Sequence, residues 1–127
     1  MPDVRRYTPW LALVLGGFML LGGAAHLAGI TRHWLVAGVP ADRRAAYLVF
    51  VGIIQFVAGC LDLIVRGSLK RGEASARSTS VVTLGLITAY AVVAGPFLLE
   101  AGGIFRIPPF LYPAAHLVLA VLVFRGR

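Results

Sequence analysis

Residues 10–30 have the sequence WLALVLGGFMLLGGAAHLAGI, in which no side chain is charged. A helix rises about 1.5 Å per residue, so about 20 apolar residues cross the hydrocarbon core of a bilayer. Arg5 and Arg6 precede this stretch, as basic residues precede the apolar core of a secretory signal peptide. Its apolar run is too long for a signal peptide, and the rest of the chain is equally apolar. We therefore interpret residues 10–30 as a retained membrane-spanning helix.

Three further apolar runs follow, at residues 45–65, 79–99 and 107–124. The last run is close to the minimum length for a span. It begins with Pro108 and Pro109, and proline is tolerated at a helix start. The runs are continuously apolar, whereas the strands of a membrane β-barrel alternate between apolar and polar residues. The predicted fold is all-α: a polytopic four-transmembrane-helix bundle that forms a single membrane domain over residues 1–127.

The composition supports a membrane protein. Of the 127 residues, 59% are hydrophobic and 13% are charged, whereas about a quarter of the residues in a soluble domain are charged. The net charge of +7 comes from 12 Lys and Arg and 5 Asp and Glu. The basic residues lie in short clusters between the apolar runs, as expected for membrane flanks rather than for a nucleic-acid-binding surface. We expect the lipid bilayer as a partner and no nucleic acid.

The distribution of basic residues predicts the orientation. With four crossings, both termini lie on one side of the membrane, together with the connection between the second and third spans. Eight basic residues lie on that side and four on the other: Arg5, Arg6, Arg66, Lys70, Arg71, Arg77, Arg125 and Arg127, against Arg32, Arg43, Arg44 and Arg106. The positive-inside rule then predicts an N-in/C-in topology. Trp10, Trp34, Tyr47 and Tyr112 lie near predicted span ends, as in an aromatic belt.

A polar stripe runs along the second span. Gly52, Gln55, Gly59, Asp62 and Arg66 follow one another at steps of three or four residues, which places them on one helix face. Because small residues let helices approach in lipid, this face is predicted to pack against protein. Asp62 precedes Arg66 by four residues, the favourable order for a helical ion pair, and we expect the pair near the end of the span. A proton or cation ligand role for Asp62 is disfavoured by that position.

The connection between the second and third spans is predicted to be a loop over residues 66–80, because it contains several glycines and serines.

Motifs for catalysis are absent from the sequence. The single Cys60 excludes an internal disulfide, and the chain contains no glycine-rich phosphate loop, GxSxG or HExxH. We therefore predict no catalytic residues and no metal site.

Five polar residues are predicted to gather under the outer leaflet: His26, Glu100, Arg106, Tyr112 and His116. In a structural interpretation, each histidine hydrogen-bonds a neighbouring carbonyl or hydroxyl group, and Glu100 pairs with Arg106. A second interpretation is a pocket in which an imidazole and a tyrosine hydroxyl hold the carbonyl oxygens of a quinone-like ligand. Bis-histidine haem ligation is disfavoured because His26 and His116 differ in predicted depth by roughly 7 Å. Pro96 should kink the third helix at this depth.

Three segments carry a resemblance to a known family: residues 22–27 (GGAAHL), the loop Gly38-Val39-Pro40, and residues 52–61 (GIIQFVAGCL). With these segments the first half of the chain resembles the DoxX-like group of small four-span bacterial membrane proteins, and the second half is similar in hydropathy only. Gln55 stands where that family commonly has glutamate. The resemblance implies the bacterial inner membrane and an association with membrane redox partners, and it implies no catalytic residue.

The leading hypothesis is therefore an accessory or redox-associated membrane subunit that binds a lipid-soluble, quinone-like ligand in the outer-half pocket. The alternative is a small-solute or ion transporter or channel that acts as a homo-oligomer, because four helices rarely enclose a pore. The polar lining of such a pore in the central third of the membrane would be Gln55, Thr88 and Tyr90. An intramembrane enzyme that uses His26 or His116 with Glu100 is disfavoured, because no nucleophile stands beside them.

Overall fold

The computed structural model describes residues 3–30 and 39–126. These residues form four long helices, α1 (Val4–Leu27), α2 (Arg44–Arg71), α3 (Ser75–Ala101) and α4 (Pro108–Arg125), with short 3-10 turns at Ala41–Arg43 and Gly103–Arg106. All four are long and apolar enough to cross a membrane, by length and composition. The prediction of an all-α protein with four such helices is confirmed. Four residues used in the sequence-based predictions lie outside the described residues: Arg32, Trp34, Gly38 and Arg127.

The helix α1 begins at Val4, six residues before the predicted span. Asp3 is its N-cap, and the Asp3 carboxylate accepts a hydrogen bond of 3.1 Å from the backbone N–H of Arg5. This bond satisfies one of the unpaired N–H groups at the helix start. The basic pair Arg5 and Arg6 therefore belongs to the first turns of α1.

The helix α2 continues to Arg71, so the predicted loop over residues 66–80 is wrong. Gly72 ends the helix with a φ of 68°, and its N–H donates to the Leu69 carbonyl at 3.2 Å. The N–H of Glu73 donates to the Ser68 carbonyl at 2.8 Å, which completes a Schellman cap. Small residues such as Ser68 are used here for helix packing: Ser68 is buried, and its hydroxyl accepts a hydrogen bond from Ser75 on α3.

The short connection between α2 and α3 contains an ion pair that predicts a pH effect. Arg71 donates two hydrogen bonds to Glu73, and these bonds lower the pKa of Glu73 to about 2. We expect Arg71→Ala to return this pKa towards the ordinary 4.5, as measured by carbon NMR titration of the carboxyl group. Because the pKa of Glu73 is lower in the folded than in the unfolded protein, its ionised carboxyl group stabilises the fold at pH values above the ordinary pKa. This contribution is lost as the pH falls towards about 2. An unchanged Glu73 titration in Arg71→Ala would show that the ion pair does not form in solution.

The start of α1, the end of α2, the start of α3 and the end of α4 meet at one end of the bundle. A small crevice of about 130 Å³ is lined by the start of α1, the end of α2 and the end of α4: Arg5, Thr8, Pro9, Leu69, Leu122 and Gly126. The start of α3 joins them, because the Arg77 guanidinium lies 5.4 Å from the centre of the Phe124 ring. We call this the basic end of the bundle, and the opposite end, with Tyr47 and Leu98, the distal end.

Glycines bring α1 and α2 into close contact. A Cβ on Gly23 would lie 2.5 Å from the backbone nitrogen of Phe56, and a Cβ on Gly59 would lie 2.6 Å from the backbone nitrogen of Leu20. Any larger residue at these positions would force the two backbones apart. Large apolar side chains on the outer surface, such as Trp10, are exposed and face the volume that lipid would occupy.

Candidate functional site

Asp62 of α2 and His116 of α4 form a pair inside the bundle. The Asp62 Oδ2 atom lies 2.9 Å from His116 Nε2, and the two side chains are 0% and 1% exposed. Each residue stands nine positions before the last residue of its helix, Arg71 and Arg125, which is about 14 Å along the axis. The pair therefore lies deep between the two ends of the bundle. The helix α2 continues six residues beyond the predicted span end at Val65, so Asp62 lies further from the helix end than the predicted boundaries had indicated.

This pair corrects the expected ion pair between Asp62 and Arg66. Within the described part of the chain, the salt bridge found for Asp62 is the one to His116. The Asp62 carboxyl group is fully buried and points into the bundle, where α4 supplies a partner, whereas Arg66 is partly exposed. The other members of the stripe, Gly52, Gln55 and Gly59, are buried on the same face of α2.

The hydrogen bonds of His116 define where its protons lie. Nδ1 is 2.8 Å from the backbone carbonyl oxygen of Tyr112, which only accepts, so Nδ1 carries a proton and donates it. A single further proton lies between Nε2 and the Asp62 carboxyl group. Either the acid donates to a neutral imidazole, or the imidazolium donates to a carboxylate. In both cases the pair as a whole is neutral, which reduces the cost of burying it in an apolar bundle.

Asp62 keeps one unused acceptor. Its Oδ1 atom is buried and has no hydrogen-bond partner among residues 3–30 and 39–126. Both ring nitrogens of His116 are engaged, by contrast, so this arrangement leaves neither nitrogen for the carbonyl oxygen of a ligand. The open position of the pair is therefore on the carboxyl group and not on the imidazole.

A glycine of α1 makes room for the Asp62 side chain. A Cβ on Gly16 would lie 3.1 Å from the Asp62 Cβ and 3.1 Å from the Gly59 carbonyl oxygen. The backbone of α1 therefore covers the site from the side opposite α4. The sequence indicated Gly59 as a packing residue, but the closeness of Gly16 to Asp62 depends on how α1 and α2 are aligned.

Aromatic rings cover the pair towards the distal end. The Tyr112 ring stacks on Tyr90 at 5.8 Å between centroids and meets Phe18 edge-to-face at 5.9 Å. We call Phe18, Tyr90 and Tyr112 the aromatic layer, and it lies on the distal side of the Asp62–His116 pair.

The five residues predicted to gather under the outer leaflet occupy different places. Tyr112 and His116 are joined by the hydrogen bond from Nδ1, one turn apart on α4. His26 is buried near the end of α1. Glu100 and Arg106 are exposed at the distal end, and Arg106 Nε donates to the Leu99 carbonyl at 3.2 Å. His116 pairs with Asp62, which lies beside Gly16 of α1, and His26 stands ten residues further along α1, so His26 and His116 differ in depth by about 15 Å.

A groove of about 420 Å³ lies between α3 and α4 in the distal half of the bundle. Proline and glycine leave space there because their side chains are short or absent. The lining residues are Thr88, Ala91, Val92, Gly95, Pro96, Leu99, Pro109, Phe110 and Pro113. The one hydroxyl group in this set, on Thr88, donates to the Leu84 carbonyl of its own helix at 2.8 Å. The groove is therefore an apolar surface, with Arg106 bound to Leu99 at its distal edge.

No family model, curated protein or solved structure matches this chain. Two features of the described residues point to function: the apolar groove between α3 and α4, and the buried pair of Asp62 and His116.

Proposed function

We propose that the protein is an accessory or redox-associated subunit of the bacterial inner membrane that binds a lipid-soluble, quinone-like ligand. The binding place is the groove between α3 and α4, which lies in the outer half of the membrane when the basic end faces the cytoplasm. The observation that carries this proposal is the groove itself. Its volume falls in the range of about 300 to 1,000 Å³ that is typical of small-ligand sites.

The chemistry of the groove suits an apolar ligand with a polar head. Ala91, Val92, Leu99 and Phe110 provide apolar walls for an isoprenoid chain or ring. Arg106 is exposed beside Leu99, and the guanidinium N–H groups that do not bind the Leu99 carbonyl remain for a ligand oxygen. Arg106 therefore keeps the ligand role predicted from the sequence, whereas His116 supports the bundle from within.

The orientation and the partners are part of the same proposal. The excess of Lys and Arg at the basic end favours the N-in/C-in topology by the positive-inside rule. The resemblance of residues 22–27 and 52–61 to DoxX-like proteins favours a membrane redox protein as partner. The exposed apolar helix faces leave surface for such a partner or for a second copy of the chain.

Two adjacent valines of α3 provide a matched test. Val92 lines the groove and is 70% exposed, whereas Val93 is 44% exposed and lies outside the groove lining. We expect Val92→Trp to fill the groove and to reduce the quinone retained after mild detergent purification by about tenfold, the factor that corresponds to about 1.4 kcal/mol. Val93→Trp should retain as much quinone as the parent protein. Extraction and mass spectrometry measure the retained ligand.

Annular lipid provides the competing explanation for any bound molecule. Phospholipid measured in the same extracts should be equal in the Val92→Trp and Val93→Trp proteins, because both present the same apolar surface to lipid. Equal quinone in the two variants, or quinone retention that follows phospholipid, would contradict the proposal. Arg106→Gln should weaken quinone retention without changing phospholipid.

A further inference from the structure

The buried pair contains more hydrogen-bonding capacity than a structural contact between two helices uses. Asp62 Oδ2 and both ring nitrogens of His116 are engaged, but Asp62 Oδ1 is buried with no partner in the described residues. A buried acceptor without a partner costs free energy, typically about 1 to 3 kcal/mol. Replacing both residues with apolar ones would remove that cost. An intramembrane ionisable residue with an open position is a functional candidate by its chemistry.

We propose that Asp62 and His116 bind and release one exchangeable proton inside the bundle. This inference is independent of the α3–α4 groove and of the ligand proposed for it. It assigns to the pair a proton-binding function in addition to its contact between α2 and α4.

The proton balance follows from the hydrogen bonds. The neutral pair holds one proton on Nδ1 and one between Nε2 and Oδ2. Uptake transfers a proton from hydronium to the carboxyl group at Oδ1 while the imidazolium keeps Nε2–H, and water is left. The product is a carboxylic acid beside an imidazolium, with one positive charge. Release returns the proton to water. Loss of a proton from the neutral pair would instead set the Nε2 lone pair against a carboxylate oxygen, so uptake is the favoured change.

Few other titratable groups face the pair. The helix α1 has none between Tyr7 and His26, and α3 has none between Arg77 and Tyr90. Between Tyr112 and Arg125, α4 contains only His116. Between Tyr47 and Arg66, α2 contains only Cys60 and Asp62. The nearest titratable groups along α2, α3 and α4 are thus Tyr90, Tyr112, Cys60, Arg66 and Arg77, and Asp62 is the one buried carboxyl group in the described part of the chain.

Buried hydroxyl groups lie on the side of the basic end. Thr83, Ser80, Ser68 and Thr8 are each at most 3% exposed. Thr83 stands eight residues after the start of α3, at about the depth of Asp62, and Ser80 and Ser68 are nearer to the basic end. The Thr83 and Ser80 hydroxyls donate to carbonyls of their own helix, which leaves their oxygens as acceptors for a proton donor. The stacked rings of Tyr90 and Tyr112 lie on the opposite side of the pair, so the proposal routes proton exchange through the basic end.

Infrared titration of the protein in lipid bilayers tests this proposal. We expect the carbonyl stretch of the Asp62 carboxylic acid to grow or to change in frequency as the pH falls, and to shift when the water is replaced by D₂O. Asp62→Asn should lose this band, and it should remain folded because the new amide N–H can donate to Nε2. Asp42→Asn, which changes an exposed carboxyl group outside the four helices, should keep the band.

A second variant separates proton binding from a purely structural pair. In His116→Gln the amide N–H can still donate to Oδ2, so the contact between helices is kept while the imidazole is removed. The midpoint of the Asp62 band should then move by at least about one pH unit. The proposal is overturned if the parent protein and Asp62→Asn give the same spectrum at every pH. It is equally overturned if the band does not respond to D₂O, or if its midpoint is unchanged in His116→Gln.

Discussion

Replacement of either Asp62 or His116 by alanine should lower the free energy of unfolding by about 3 kcal/mol or more. Each substitution leaves the other side chain buried without its partner, and breaking a buried pair in this way typically costs about 3 to 5 kcal/mol. The pair is at most 1% exposed, so water cannot replace the lost hydrogen bond without opening the bundle. Reversible unfolding by SDS in mixed micelles, followed by circular dichroism, measures the change.

Two controls make this prediction specific to the pair. Asp62→Asn keeps a hydrogen bond to His116 and should cost no more than about 1 kcal/mol. The double variant Asp62→Ala/His116→Ala should cost less than the sum of the single variants, by about 1 to 3 kcal/mol, because each single variant already removes the shared interaction. Additive losses in the double variant would mean that the two residues stabilise the bundle separately.

The glycine contacts between α1 and α2 predict a comparable loss. In Gly23→Ala the added Cβ would lie 2.5 Å from the Phe56 nitrogen and 2.8 Å from the Gly52 carbonyl oxygen, and neither backbone atom can move aside alone. Overpacking of this kind typically costs about 1 to 3 kcal/mol, and a contact with backbone places Gly23→Ala at the upper end. Gly59→Ala, with a contact of 2.6 Å to the Leu20 nitrogen, should lose a similar amount.

Gly17 provides the matched control for these substitutions. It lies on the same helix as Gly23, and a Cβ at this position would meet no atom within 4 Å. Gly17→Ala should therefore be neutral or stabilising by up to about 1 kcal/mol, because alanine favours the helix more than glycine does. The same SDS unfolding experiment compares the three variants. If Gly17→Ala and Gly23→Ala had equal effects, the close approach of α1 and α2 would be refuted.

The fold was largely predictable because hydrophobicity dominates this chain. Apolar runs of about 20 residues favour helices that are long enough to span a membrane, and the four helices lie where those runs occur. The residues at which the helices end were less predictable. Gly67 and Ser68 suggested a loop, but in a helix of this kind small residues serve packing, and the left-handed Gly72 is what ends α2. A local pattern of glycine and serine does not distinguish these two uses.

The site was predictable in its residues and not in its pairing. Asp62 and His116 both stood out as ionisable groups within apolar runs, but sequence spacing related Asp62 to Arg66 on its own helix. The actual partner is 54 positions away, and recognising it required the true end of α2 and the alignment of α2 with α4. The groove between α3 and α4 had one local signal, Pro96, and its other wall comes from Pro109 and Pro113.

The most direct test of the account is a distance measurement between α2 and α4 in lipid. Solid-state NMR of the labelled protein in bilayers should show a through-space correlation between the Asp62 carboxyl carbon and His116 Nε2, because Oδ2 and Nε2 are 2.9 Å apart. The correlation should disappear in His116→Gln labelled at histidine. A correlation of the Asp62 carboxyl carbon with the Arg66 guanidinium, and none with His116, would contradict the pairing on which the proposed proton site depends.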